Sequence, residues 1–478
     1  MILKKKSLYT RYNKIFLILI ITAFQQSFCT LLLNIDGCIE IPRASANAYS
    51  SPAQPKKKWT ILVYIAADND LYPFAYRNIA QMKQIGSNEH LNILVYLDIK
   101  HSGQPKVTKL LYIEHNKIWQ IGSDYVMDSG SDKTLFDVVE WAHQDYPCEQ
   151  FALVLWNHGS GDLNPILRKT INPTQLFKYN AETQLIELDR SIGFIDFIDQ
   201  LAEKEASESC KHRGICFDET NGTYLDDAKL MRAFKKIVQL RNNKKIDLMV
   251  FDACLMAGTG TTWIMSQFAD YMVASEEVVP GSGYNYQLLL QPLASGNISP
   301  EALAKHIVDT FYKTYGRQTQ DYTHSAFQLS AFKAVCNNID LLSQLLIEAM
   351  QLEKASSVRY IIKKARSRQN CTHFDEPSYI DLGHFYENLL KLTDQIVLNN
   401  DVNTSESIAA LKKVLREGLA LIKKLVIANI AGQNLAEAQG ISIYFPEYRV
   451  TKPSYQSYDT TEFAKNNSWP KFLKAYFQ

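Results

Sequence analysis

Phe151-Ala152-Leu153-Val154-Leu155-Trp156 runs into Asn157-His158-Gly159-Ser160-Gly161, and Ile246-Asp247-Leu248-Met249-Val250-Phe251 runs into Asp252-Ala253-Cys254-Leu255-Met256. Each stretch is a short, nearly continuous apolar run that stops at small and polar residues, the pattern of a strand buried on both faces. Outward from them, residues 59–66 and 91–97 have the same character, and residues 107–113 read as a shorter strand in a hairpin. Residues 73–85 and 226–239 between these runs read as helices. So do residues 133–144, where Leu135, Val138, Val139 and Ala142 share one side. A further strand is expected at 271–274. Alternation of buried strands with helices predicts an α/β fold: a mostly parallel sheet flanked by helices on both faces.

The 478 residues suggest more than one domain. Residues 57–292 carry the alternating units, interrupted at 163–213 by a polar stretch with no core face, read as an exposed insertion or processing loop. Residues 293–478 form a mostly helical C-terminal domain, or an extension of the first. Their amphipathic segments lie at 300–315 and 334–352, and strands are expected at 325–332 and 440–445. Residues 1–48 are of another kind. Lys4, Lys5, Lys6, Arg11 and Lys14 precede the apolar run 15–24, and small-x-small patterns follow at Ala44-Ser45-Ala46 and Ala46-Asn47-Ala48. This reads as an export signal, with a retained membrane anchor as the alternative, so the protein is expected outside the cytoplasm, whether secreted, periplasmic or on the outer surface.

A hydrophobic share of 46%, a charged share of 21% and a formal net charge of +1 suit a globular protein with a large core and give no footprint for nucleic acid. The eight cysteines show no CxxC pair and no zinc-ribbon spacing. Cys210 and Cys216 are close enough in sequence to pair in an oxidising compartment; the others read mostly as small buried apolar residues.

In an open parallel sheet, reactive groups gather where strands finish. His158 closes one core strand and Cys254 another. A thiol is nucleophilic only as thiolate, so an imidazole at a neighbouring strand end can take its proton. The N–H groups of Gly159 and Cys254 are then candidate oxyanion donors, and the glycines after His158 leave room for a substrate backbone. No third catalytic residue stands out, and a thiol needs one less than a serine does.

The 157–161 and 252–256 motifs resemble those of the clostripain-like (C11) cysteine peptidases of the caspase-like clan CD. Val63-Tyr64-Ile65-Ala66-Ala67-Asp68-Asn69-Asp70, Ala274-Ser275-Glu276-Glu277, Asp381-Leu382-Gly383 and Gly440-Ile441-Ser442-Ile443-Tyr444-Phe445-Pro446 carry the likeness further, over most of residues 59–445. The resemblance implies a caspase-like sheet and a His158/Cys254 dyad that cleaves after arginine or lysine through a thioester. Asp252, two residues before the nucleophile, would point to the same side of an extended strand and pair with a basic substrate side chain. Ser282 stands where some relatives place a second pocket acid, which leaves strict Arg/Lys preference open; Glu276 or Glu277 could compensate or be structural.

Relatives are often zymogens, so self-cleavage within 163–213 is expected, with Arg168 and Lys169 favoured because they follow His158 closely. The expected partners are proteins or peptides with basic residues, and the membrane only through the N-terminal segment. No cofactor is required. Some relatives need calcium, but no acidic loop here has convincing ligand spacing. Two rival readings keep the fold but change the function: a catalytically silent exported binding protein, and an amide hydrolase acting on non-peptide substrates.

Overall fold

The computed structural model describes residues 55–161, 177–180, 185–188, 214–351, 355–393, 402–447 and 457–478. All of them fall in one compact unit. Nine strands form the main sheet: β1 (Lys57–Ala67), β2 (Leu91–Ile99), β3 (Val107–Glu114), β4 (Lys117–Tyr125), β5 (Cys148–Trp156), β6 (Ile246–Asp252), β7 (Ala269–Ala274), β8 (Thr323–Gln328) and β9 (Val426–Ala431), in the order β9-β8-β7-β6-β5-β1-β2-β3-β4. The five in the middle, from β7 to β2, pair in parallel. The outer pairs are antiparallel on both sides.

The buried character of the apolar runs follows from this order. Every residue of β2 and β6 is buried, and so is all of β1 but Lys58, because helices cover the sheet between successive parallel strands. Those helices are Tyr72–Ile85, Asp132–Asp145, Asp227–Leu240 and Thr259–Phe268. The chain winds from β1 to β2 on one side and later returns to β5 and β6 on the other. The sheet's direction of growth therefore reverses between β1 and β5, and the loops leaving their C-terminal ends diverge into a crevice.

The sequence boundary at residue 293 does not divide this sheet. β8 and β9, both beyond it, complete one side, so the later residues extend the first domain. Around them pack the helices Phe332–Ala349, Leu382–Thr393 and Val402–Leu425. The strand expected at 325–332 ends at Gln328, where a short 3-10 turn leads into Phe332–Ala349. β9 has no counterpart in the sequence reading.

Within the 163–213 stretch, Phe177–Asn180 and Leu185–Leu188 pair as antiparallel strands. Arg168 and Lys169, like residues 1–48, lie outside the described residues. Among the described residues, no helix is long and apolar enough to cross a membrane. Cys148, Cys216, Cys254, Cys336 and Cys371 are free thiols. Of the two cysteines whose spacing allowed a pair, Cys216 is a free thiol buried in the strand Ile215–Asp218, and Cys210 lies outside the described residues.

Candidate active site

Three neighbouring strands deliver the site. β1, β5 and β6 are in register, with Trp156 beside both Ile65 of β1 and Asp252 of β6. One residue beyond these pairings, the Asn157 N–H donates to the Asp252 carbonyl at 3.2 Å. The ladder thus holds residues 157–158 against residues 252–254. His158, Asp252 and Cys254 line one small crevice with Leu71, Val279 and Gly283. The sequence predicted that these three would meet, and the strand order brings them together.

The unexpected member is Asp70. Its Oδ1 lies 2.6 Å from His158 Nε2, and the two side chains are 1% and 7% exposed. A bond this short between an imidazole and a carboxylate, shielded from water, fixes the ring's orientation and is among the stronger side-chain interactions. The turn beyond β1 aims it. Asn69 Nδ2 donates to the carbonyls of Ala66 and Phe217, and Asn69 Oδ1 accepts the Leu71 N–H at 3.0 Å. The opposite flank is tied the same way: Asn157 donates to the Ala66 carbonyl and accepts the Phe217 N–H at 2.9 Å. Glu219, just beyond Phe217, is the second residue the sequence reading missed. Burial, then the nearby Asp70 and Asp68, push its carboxyl up to about 7, against the pull of His158 and Lys100.

Cys254 sits in a tight turn. The Val279 N–H points at Sγ from 3.3 Å, and the thiol faces the Val279 carbonyl at 3.8 Å. Leu255 follows with φ of 63°, a left-handed conformation unusual for a branched side chain. That strain is held in place by the Leu255 N–H on the Glu277 carbonyl and the Ala257 N–H on the Ser275 carbonyl. Burial pushes the thiol up to about 12, opposed by the Val279 N–H and aided by Asp375, Glu277 and Asp252. The resting sulfur is therefore a neutral thiol at pH 7, and ionisation needs a base in the crevice.

The approach of the two loops requires glycine. A Cβ on Gly159 would stand 2.4 Å from the Cys254 carbonyl oxygen, closer than any real contact. Among the described residues neither the Gly159 nor the Cys254 N–H is spent on another backbone carbonyl.

Asp252 forms the crevice's acidic floor. Its Oδ2 accepts the Tyr284 N–H at 3.2 Å and the Tyr286 hydroxyl at 2.9 Å. Burial outweighs these two bonds and pushes the carboxyl up to about 7. Gly283, with φ of +60°, lies so close that a Cβ there would stand 2.6 Å from Asp252 Oδ2. Ser282 does not face this floor: its hydroxyl bonds Tyr315 Oη at 2.7 Å, and its carbonyl accepts from Asn78 at 3.2 Å. Glu276 and Glu277 are buried rather than on the surface. Glu277 Oε1 accepts the N–H groups of Val278 and Asp375, which makes it a brace for the loop behind the thiol. Among the described residues no group of three or more His, Cys, Asp and Glu side chains is placed to hold a metal.

A model of the clostripain family matches residues 63–170 and 200–476, which include His158 and Cys254. The chain belongs to the clostripain family. This clostripain-family chain is 24% identical over 269 residues to clostripain of Hathewaya histolytica, a match covering 50% of this chain and 43% of that protein. The match thus spans less than half the length of that curated relative. Among the solved structures that share the fold are two C11 proteases. One is a secreted C11 cysteine protease from Bacteroides thetaiotaomicron in complex with an irreversible peptide inhibitor, 19% identical, with a TM-score of 0.54 over 87% of this chain and 99% of that one. The other is an inactive zymogen C11 protease from Parabacteroides distasonis, 17% identical, with a TM-score of 0.52 over the same shares. The mostly parallel sheet flanked by helices is the architecture common to all three.

Proposed function

We propose that this clostripain-family protein is an exported cysteine endopeptidase that cuts after arginine or lysine. The observation that carries the reading is the meeting of His158, already paired with Asp70, and Cys254 at adjacent strand ends, with the Asp252 carboxyl in the same crevice. With Nε2–H donating to Asp70, the imidazole's lone pair lies on Nδ1, the nitrogen that takes the thiol proton. Sγ then attacks the scissile carbonyl carbon, and the N–H groups of Gly159 and Cys254 receive the oxyanion. The imidazolium returns its proton to the departing amine, leaving a thioester. Water, deprotonated by the same imidazole, releases the acid and regenerates the thiol. Asp70 steadies the imidazolium throughout, as the carboxylate of a serine-protease triad does.

Asp252 supports the basic preference, because a guanidinium or ammonium entering the crevice would find a carboxylate prearranged by two donors. Ser282 contributes through the Tyr315 contact that shapes the pocket wall rather than through a charge. The enclosed crevice and neutral thiol suit a precursor that opens on cleavage within 163–213, at Arg168 or Lys169. Turnover needs no metal on this mechanism, since every proton transfer has a protein partner.

A panel of fluorogenic peptides differing at the residue before the scissile bond, run on wild type, Cys254→Ala and Asp252→Asn, tests the proposal. Cleavage of Arg and Lys peptides that vanishes in Cys254→Ala and loses its basic preference in Asp252→Asn is the expected result. Silence across the panel from protein that has been nicked within 163–213 would favour the binding-protein or non-peptide amidase readings instead.

A further inference from the structure

Beside the crevice, Lys106 reaches from the residue before β3 into a cage of three carboxylates. Its Nζ is 2.9 Å from Asp98 Oδ2 and 3.4 Å from Asp68 Oδ2, and it also bonds Asp218 Oδ2. The ammonium's side chain is 3% exposed and none of the three acids exceeds 1%. The acids come from separate parts of the chain: the end of β1, the end of β2 and the strand Ile215–Asp218. Around them Thr108 and Ser129 bond Asp98, the Ser129 and Asn221 N–H groups bond Asp218, and the Thr220 N–H bonds Asp68. One buried cation therefore stands between three buried acids that would otherwise repel each other, and removing it would leave that charge uncompensated.

The segments joined here are the two flanks of the catalytic pair. Asp68 precedes Asp70 by two residues, and its carbonyl accepts the Glu219 N–H at 3.0 Å. Asp218 follows Phe217, which bonds both Asn157, next to His158, and Asn69, next to Asp70. We propose that Lys106 is a positioning residue: its ammonium draws the end of β1 and the 215–225 hairpin to the separation at which Asp70 meets His158. Burial alone would lower the lysine, but Asp98 and Asp218 outweigh it and raise it, so the charge persists at any working pH.

The inference rests on the His158/Cys254 reading, which wild-type turnover checks independently. The test compares Lys106→Met, and Lys106→Met combined with Asp98→Asn, in the full-length enzyme. Peptide kcat and KM are normalised to the fraction of molecules whose Cys254 is alkylated in the native state. Lys106→Met is expected to lower kcat per competent site at least tenfold with KM within about threefold of wild type. The added Asp98→Asn, which removes one unbalanced charge, is expected to recover kcat at least threefold. An unchanged kcat per competent site would overturn the proposal, as would a loss confined to KM or a double variant no better than the single one. If neither variant accumulates folded, Lys106 is a general clamp of the fold and the positioning role is likewise refuted.

Discussion

Replacing Asp70 with asparagine keeps the shape of the side chain and removes the charge that His158 faces. The contact is 2.6 Å long and nearly sealed from solvent, so screening does little to weaken it. A hydrogen bond to a charged group contributes roughly 1.5–3 kcal/mol. Lost from the transition state alone, that is about a 10- to 150-fold fall in kcat/KM. Asparagine can still accept the Nε2 proton, but it can equally present its amide N–H and favour the wrong tautomer, which in serine triads costs about 10⁴-fold. A thiol leans less on its base, so the lower range is expected here. The assay is steady-state cleavage of a fluorogenic basic peptide, with thermal unfolding run in parallel because, among the described residues, nothing hydrogen-bonds the buried Asp70 Oδ2. A fall carried by kcat in a normally folded protein supports the role. Activity within twofold of wild type would mean that Asp70 is only a packing residue.

The remaining predictions concern the pocket and the loop contact. Because Asp252 is pushed up to about 7, it is mostly neutral below that pH. Cleavage after arginine should therefore rise with pH through about 7 more steeply than cleavage after a neutral residue, and Asp252→Asn should abolish the difference; identical profiles for both substrates would contradict this. Tyr286→Phe removes a donor to the carboxylate. It should shift that rise to higher pH and raise KM for basic peptides at pH 7 by roughly tenfold, for about 1.5 kcal/mol lost from a charged hydrogen bond; unaltered KM and profile would rule the contact out. Gly159→Ala forces a Cβ against the Cys254 carbonyl, so kcat should drop by about two orders of magnitude while Asp252-dependent binding persists, as measured by a competing arginine analogue. Wild-type kcat in that variant would show that the two loops do not need their close approach.

Much of the fold was legible because β1, β2, β5 and β6 hold short, nearly continuous apolar runs, the composition of a strand covered on both faces. The meeting of His158 and Cys254 in one crevice was legible for a related reason, since both stand at the points where such runs stop. Asp70 was not, although Asp68-Asn69-Asp70 is a conspicuous polar break after β1. Its meaning depends on β1 lying next to β5, and strand order is a long-range property that no local pattern encodes. Lys106 was hidden likewise, because its three acids are 38, 8 and 112 residues away in the chain. β9 escaped for a local reason. The helix Val402–Leu425 passes directly into Val426–Ala431 with no glycine or proline between them, and the edge strand is only half buried, so its period of two is faint. Ser282 was placed in the pocket by resemblance alone; which way its hydroxyl turns is decided by Tyr315, from a helix that packs beside the sheet.

The most direct test of the central claim is to label the intact protein with an electrophilic peptide probe carrying arginine or lysine and map the adduct by mass spectrometry. A single adduct on Cys254 is expected, forming at least tenfold more slowly in His158→Ala and absent after prior alkylation of the thiol. Labelling elsewhere, labelling of Cys254 that is indifferent to His158, or full peptide turnover by Cys254→Ala would contradict it.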